Sequence, residues 1–151
     1  MINYKANSKE PAFLALLNGD VSNIENVVAT TLPFRDDVAR SFDTHGCYNN
    51  GDSHFTPTMP GYYLIGTRTH IYNIDAVKPV LIYIYKNGAA VCTSASRSVS
   101  MTDGGLDMTV VELLYANGTD WFSSVIYHSN GDNTPDLWAQ GSSFWGVRVS
   151  P

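Results

Sequence analysis

Val80-Leu81-Ile82-Tyr83-Ile84-Tyr85-Lys86-Asn87-Gly88 is the stretch on which the reading of this chain turns. Its apolar run, from Val80 to Tyr85, falls far short of the roughly 20 residues a membrane-spanning helix needs. The Asn-Gly pair that follows supplies the positive φ angles of a tight hairpin turn. The stretch therefore reads as a strand that turns back on itself. Both of its faces are apolar, because alternation puts Val80, Ile82 and Ile84 on one side and Leu81, Tyr83 and Tyr85 on the other. A sandwich strand with one wet face would carry polar residues in one of those two phases. Either a further layer of the same chain or another subunit is expected over the aromatic side.

Similar runs, separated by turn chemistry, lie to either side. Residues 11–17 stop at Asn18-Gly19-Asp20, and residues 62–72 follow Pro60-Gly61 with Tyr63, Ile65, Thr67, Thr69 and Ile71 in one phase and Tyr62, Leu64, Gly66, Arg68 and His70 in the other. Residues 89–101, 108–116, 121–127 and 143–150 complete the series; Asp103-Gly104-Gly105, Asn117-Gly118 and Ser129-Asn130-Gly131-Asp132-Asn133 punctuate it, with Asn117-Gly118 read as a hairpin turn. Residues 21–32 are ambiguous. Ser22-Asn23-Ile24-Glu25 matches a helix capping box, but Val27-Val28-Ala29-Thr30-Thr31-Leu32 is β-branched and runs into Pro33, so a strand after an irregular lead-in is expected. About eight to ten strands without a clear helix predict an antiparallel sandwich or jelly roll. A period of 20–50 residues and a heptad pattern are both absent, which excludes solenoids, propellers and coiled coils.

The chain has 151 residues, room for one domain with a self-sufficient core; residues 1–10 are polar and patternless and read as an arm, and residues 11–151 as the domain. Charged residues make up 15% and the formal net charge is −5, without a basic cluster longer than a pair. Nucleic acid is therefore not an expected partner, since duplex binding needs several Lys or Arg acting together. Met1-Ile2-Asn3-Tyr4-Lys5 lacks the apolar segment of an export signal, so the protein is expected to stay where it is made, without membrane insertion. Cys47 and Cys92 are expected as reduced, buried thiols.

The order of landmarks resembles the C1q/TNF-like jelly roll over roughly residues 11–151. Ala12-Phe13 resembles the family's opening strand and Phe34 its second-strand phenylalanine, while Tyr48 with Phe55, Pro60-Gly61-Tyr62-Tyr63 and Lys86-Asn87-Gly88 are similar to successive family motifs. Leu113 with Gly118 and Asp120 follows, although Thr119 stands between the last two, and Ser143-Phe144-Trp145-Gly146 looks like the closing strand. The chain has no collagen-like segment. The run Phe42-Asp43-Thr44-His45-Gly46, with Phe55-Thr56-Pro57-Thr58-Met59-Pro60, looks most like C1q-like domains of bacteriophage virion proteins and bacterial surface-associated proteins.

The resemblance implies a compact homotrimer, with Leu81, Tyr83 and Tyr85, or alternatively Tyr62 and Leu64, as candidates for its interface. It implies a non-enzymatic structural or adhesion role in a virion assembled in the host cytoplasm: capsid decoration, a head or tail fibre, or a receptor-binding tip. The arm would join other virion proteins. An alternative is a carbohydrate-binding module acting on a cell surface, with Trp138, Tyr127 and Asp136 as contacts, because an aromatic ring offers its face to a sugar.

Catalytic chemistry finds little support in the residues. Asp43 and His45 are two apart, yet there is no Gly-x-Ser-x-Gly elbow, and Glu10, Glu25 and Glu112 give no sign of pairing. No cofactor is expected. Asp103, Asp107, Asp132 and Asp136 lie in turn-like settings where calcium could bind, but no EF-hand loop pattern is present and plain turns are the favoured reading. Trp121 and Trp145, in strands, are expected in the core.

Overall fold

The structure is a computed structural model that describes residues 9–74, 78–97, 105–132 and 134–151. The arm expected at residues 1–10 thus lies outside the described residues, apart from Lys9 and Glu10, as do Asp103 and the end of the strand expected over residues 89–101.

Among the described residues, twelve strands form two antiparallel sheets packed as a β-sandwich. They are β1 (Ala12–Leu16), β2 (Thr30–Thr31), β3 (Phe42–Asp43), β4 (Tyr48–Asn49), β5 (His54–Phe55), β6 (Gly61–Tyr72), β7 (Pro79–Lys86), β8 (Ala89–Arg97), β9 (Leu106–Ala116), β10 (Phe122–His128), β11 (Asp136–Leu137) and β12 (Ser143–Ser150). Sheet I runs β9-β6-β12-β1-β3, with β11 beside the end of β6 beyond β12. Sheet II runs β8-β7-β10-β5-β4, and β2 shares the edge of β10 with β5. Among the described residues the only helical element is a 3-10 turn, Ala139–Gly141.

The alternation read from the sequence decides what is inside. On β6, Tyr63, Ile65, Thr67, Thr69 and Ile71 are all buried, and on β7 so are Val80, Ile82 and Ile84. These residues meet Phe13, Phe34, Phe55, Phe122, Ile126 and Phe144 in one core. The Phe13 and Phe55 rings stack at 4.1 Å and the Phe144 ring meets Phe13 edge-on at 5.0 Å, so aromatic packing joins the sheets at this end. Polar groups also enter the core: the Thr67 and Ser124 hydroxyls bond across the two sheets at 2.7 Å, whereas the buried Thr69 hydroxyl has no hydrogen-bond partner among the described residues. The His128 ring, wholly buried, has Nδ1 accepting from the Asn130 N–H, so Nε2 carries the proton and donates to the Ile24 carbonyl at 2.8 Å.

Asn87 (φ 51°) and Gly88 (φ 82°) make the tight turn between β7 and β8 that their identity predicts. Three expectations need correction. Residues 27–32 are not a full strand: only Thr30–Thr31 pairs, opposite Ile126 and Val125, while Val27 has φ 61° and its N–H turns aside to the His128 carbonyl. The Asn117-Gly118 turn is not a hairpin, because it carries the chain from β9 in sheet I to β10 in sheet II. Trp121 precedes β10 and is half-buried, stacked on His54 with centroids 3.9 Å apart, so it is a lid on the core's rim.

Candidate functional site

With the inner faces of both sheets consumed by the core, the outer faces remain. On sheet I, the second phase of β6 points outward, and register lays its neighbours beside it in rows. Tyr115 stands opposite Tyr62, Leu113 opposite Leu64 and Val111 opposite Gly66; on the other flank, Val147 stands opposite Leu64 and Trp145 opposite Gly66. Leu14 continues the row beyond Trp145. Tyr62, Val111, Leu113 and Tyr115 are 45%, 41%, 51% and 48% exposed, whereas Leu64, Trp145, Val147 and Leu14 are half-buried against them. Such a run of large apolar side chains, open to water together, offers on the order of 500 Å² of apolar surface, at the upper end of what a lone soluble domain usually shows.

Trp145, expected in the core, instead belongs to this outer face. Phe144 takes the inward phase and is fully buried, and the indole of Trp145 occupies the space over Gly66. A Cβ at Gly66 would collide with the ring, so glycine is what lets the tryptophan settle against the backbone. Tyr62 and Tyr115 meet edge-on at 5.4 Å and close one end of the face.

The outer face of sheet II has a different character. Leu81, Tyr83 and Tyr85 are all half-buried, with the Tyr83 and Tyr85 rings edge-on at 5.7 Å. Tyr127 stands opposite Leu81, and Val125, opposite Tyr83, is 2% exposed. Burial, aided by the neighbouring Tyr85 and Tyr127, raises the Tyr83 pKa above the ordinary phenol value. The tyrosines therefore shield one another and the valine beneath while keeping polar tips.

The interface candidates read from sequence accordingly divide between two opposite faces, Tyr62 and Leu64 on sheet I and Leu81, Tyr83 and Tyr85 on sheet II. The ligand candidates divide as well. Tyr127 lies on β10 of sheet II, whereas Trp138 and Asp136 flank β6 of sheet I. Trp138 is 42% exposed, its ring edge-on to His70 at 5.2 Å. The Asp136 carboxylate is already committed, accepting from the Asn23 N–H at 2.8 Å and the Asn73 amide at 2.7 Å.

The other acidic candidates are structural in the same sense. Asp107 accepts from the ring of His70 at 3.1 Å and from Arg68 at 3.3 Å, and these partners, His70 foremost, hold its pKa below the usual carboxylate range. Asp132 caps its own turn through the Thr134 hydroxyl and N–H. Asp43, 1% exposed, accepts from the Tyr48 and His45 N–H groups, so Asp43 and His45 close a turn rather than form a dyad. Among the described residues no three His, Cys, Asp or Glu side chains gather as a metal site. Cys47 and Cys92 are free thiols, Cys47 buried as expected but Cys92 only half-buried.

Reading from the sequence missed Val111, Leu113, Tyr115 and Trp145 on sheet I. Their signal was available: residues 110–115 are apolar in both phases except at Glu112, the same pattern that singles out residues 80–85. No family model matches this sequence, and no curated protein does.

Proposed function

We propose that the chain is a non-enzymatic, self-associating sandwich of the jelly-roll kind, a homotrimeric structural or adhesion component of a virion, assembled in the host cytoplasm and joined to other virion proteins by its N-terminal arm. The observation that carries this reading is the open apolar face of sheet I. About 500 Å² of such surface is more than half of the roughly 800 Å² per partner in a standard interface, and water contact with Leu113, Tyr115 and Tyr62 is relieved when copies pack there. The strand path supports the jelly-roll part: the chain leaves sheet I after β6 for β7 and β8, returns for β9, crosses again for β10 and comes back for β11 and β12. The virion role rests on the ordered motifs from Ala12-Phe13 to Ser143-Phe144-Trp145-Gly146.

Sedimentation equilibrium of the purified protein at micromolar concentration tests the association, with three times the chain mass expected and a single chain mass overturning it. Mass spectrometry of isolated particles, with this chain among their proteins, tests the location. A second reading, carbohydrate binding at a cell surface, has the exposure of Trp138 in its favour. Glycan-array binding lost in Trp138→Ala is its expected signature.

A further inference from the structure

A trough crosses the outer face of sheet I at the end away from Tyr62 and Tyr115. Its main cavity, about 340 Å³, is lined by Leu14, Leu16, Arg40, Arg68, Gln140 and Ser143 among others. A second hollow of about 190 Å³ shares Leu16, Arg40 and Gln140 with it and extends it towards Val38 and Ala139. The lining thus combines two leucines with glutamine, serine and two arginines.

The state of those two arginines is informative in a chain whose formal net charge is −5. Arg40 holds φ 75°, a left-handed backbone that a non-glycine residue adopts only against its preference. Among the described residues no carboxylate pairs with it, although Asp36 and Asp37 lie in the same loop: Asp37 is taken by Arg35 at 2.6 Å, and Asp36 accepts from the Asn50 amide at 2.8 Å. Arg68 spends one nitrogen on Asp107 at 3.3 Å, leaving the rest of its donors open. Even with Asp107 counted, the trough is positive.

We propose that this trough is a binding site for a carboxylate-bearing saccharide of the uronic-acid class. The carboxylate sits between Arg40 and Arg68, whose planar forks match its geometry. The ring lays its C–H face on Leu14 and Leu16, and Gln140 and Ser143 receive its hydroxyls. The volume admits one sugar ring, and the adjoining hollow admits part of a second. The proposal takes its ligand class from the carbohydrate reading above but not its residues, and it requires that copies packing over Tyr62, Leu113 and Tyr115 leave the Leu14 end of sheet I open.

The test is calorimetric titration of the whole protein with D-glucuronate, D-glucose and inorganic phosphate, in wild type, Arg40→Asn, Arg68→Gln and Trp138→Ala. Asparagine tolerates the left-handed backbone at position 40, so that variant removes the guanidinium without forcing the loop, and circular dichroism verifies the fold of each. Saturable glucuronate binding is expected, at least tenfold weaker in each arginine variant than in wild type, and with glucose at least tenfold weaker than glucuronate. Absence of saturable glucuronate binding, or binding indifferent to both arginine substitutions, overturns the site. Phosphate binding as tightly as glucuronate overturns the sugar class. Loss in Trp138→Ala alone returns the ligand to Trp138, and the assembly state, read by sedimentation of the same samples, fails or stands separately.

Discussion

The two outer faces of the sandwich are built from strands of similar composition, yet they meet water differently. On sheet I, Tyr62, Val111, Leu113 and Tyr115 are each more than two-fifths exposed; on sheet II, Leu81, Tyr83 and Tyr85 are half-buried in their own company. An apolar residue in the outward phase of a strand is therefore not in itself a missing partner. What distinguishes the faces is lateral packing. Tyr83 is wide enough to reach Tyr85 and to stand across from Val125 on the next strand, whereas the leucine and valine of β9 lie at the edge of sheet I, with no further strand beyond them among the described residues. The comparison directs the self-association proposal to sheet I.

The largest effect expected from that comparison is on assembly. Leu113→Glu places a carboxylate in the centre of the open face, where association would have to desolvate it, and is expected to weaken self-association by at least about 100-fold. Tyr83→Glu, the equivalent change on sheet II, should leave the assembled mass unchanged. Sedimentation velocity of both variants decides between the faces, and the reverse pattern would transfer the interface to Leu81, Tyr83 and Tyr85.

The next effect contrasts the two sides of one strand. Ile82 is fully buried between the sheets, so Ile82→Ala should cost about 2–5 kcal/mol by lost transfer energy and an unfilled cavity. Leu81→Ala, one residue along and half-buried on the outer face, should cost under about 1.5 kcal/mol. Urea unfolding of the two variants measures the difference. Equal costs would mean that the outer face of sheet II is packed as tightly as the core.

This contrast also marks how far the sequence was legible. The phases of β6 and β7 could be read because every residue in one phase is apolar or β-branched and the turn after Lys86 accepts only a narrow set of residues. Residues 27–32 could not, since β-branched side chains describe suitability for a strand but not whether a ladder partner is present; β10 has only two residues' worth of edge to give there, and Val27 turns away to bond the His128 carbonyl. Trp145 was assigned to the wrong side because a tryptophan in a strand can face either way, and the space that receives it, over Gly66, is 79 positions distant in the chain. The trough between Arg40 and Arg68 was invisible for a similar reason. It exists only once β6, β12 and β1 lie side by side.

A smaller effect sharpens the shape of sheet I. In Gly66→Ala the added methyl group cannot share its place with the indole, so Trp145 must lift from the face at a cost of about 1–3 kcal/mol. Its fluorescence should shift to the red as the ring enters water, and association should weaken because the face is no longer flat. An unchanged emission spectrum would mean that the backbone yields in place of the ring.

The smallest expected effect lies where the two faces are tied together. Lys86, at the end of β7, donates to the Tyr115 carbonyl at 2.8 Å and pairs with Asp120 at 2.9 Å, and Asp120 also accepts from the Asn87 amide at 2.7 Å and the Asn117 N–H at 3.0 Å. Burial pushes the Asp120 carboxyl upward, but these partners, Asn87 and Lys86 foremost, outweigh it and hold its pKa below the ordinary value. A carboxylate with a lowered folded pKa contributes stability that is complete above the unfolded value, about 3.9, and is lost as pH falls through the folded one. Asp120→Asn should therefore cost about 1 kcal/mol at neutral pH and nearly nothing at strongly acid pH, where the wild-type group is protonated as well. Thermal unfolding of both proteins between pH 7 and pH 2 should converge at the acid end; a gap of constant size would assign the loss to packing.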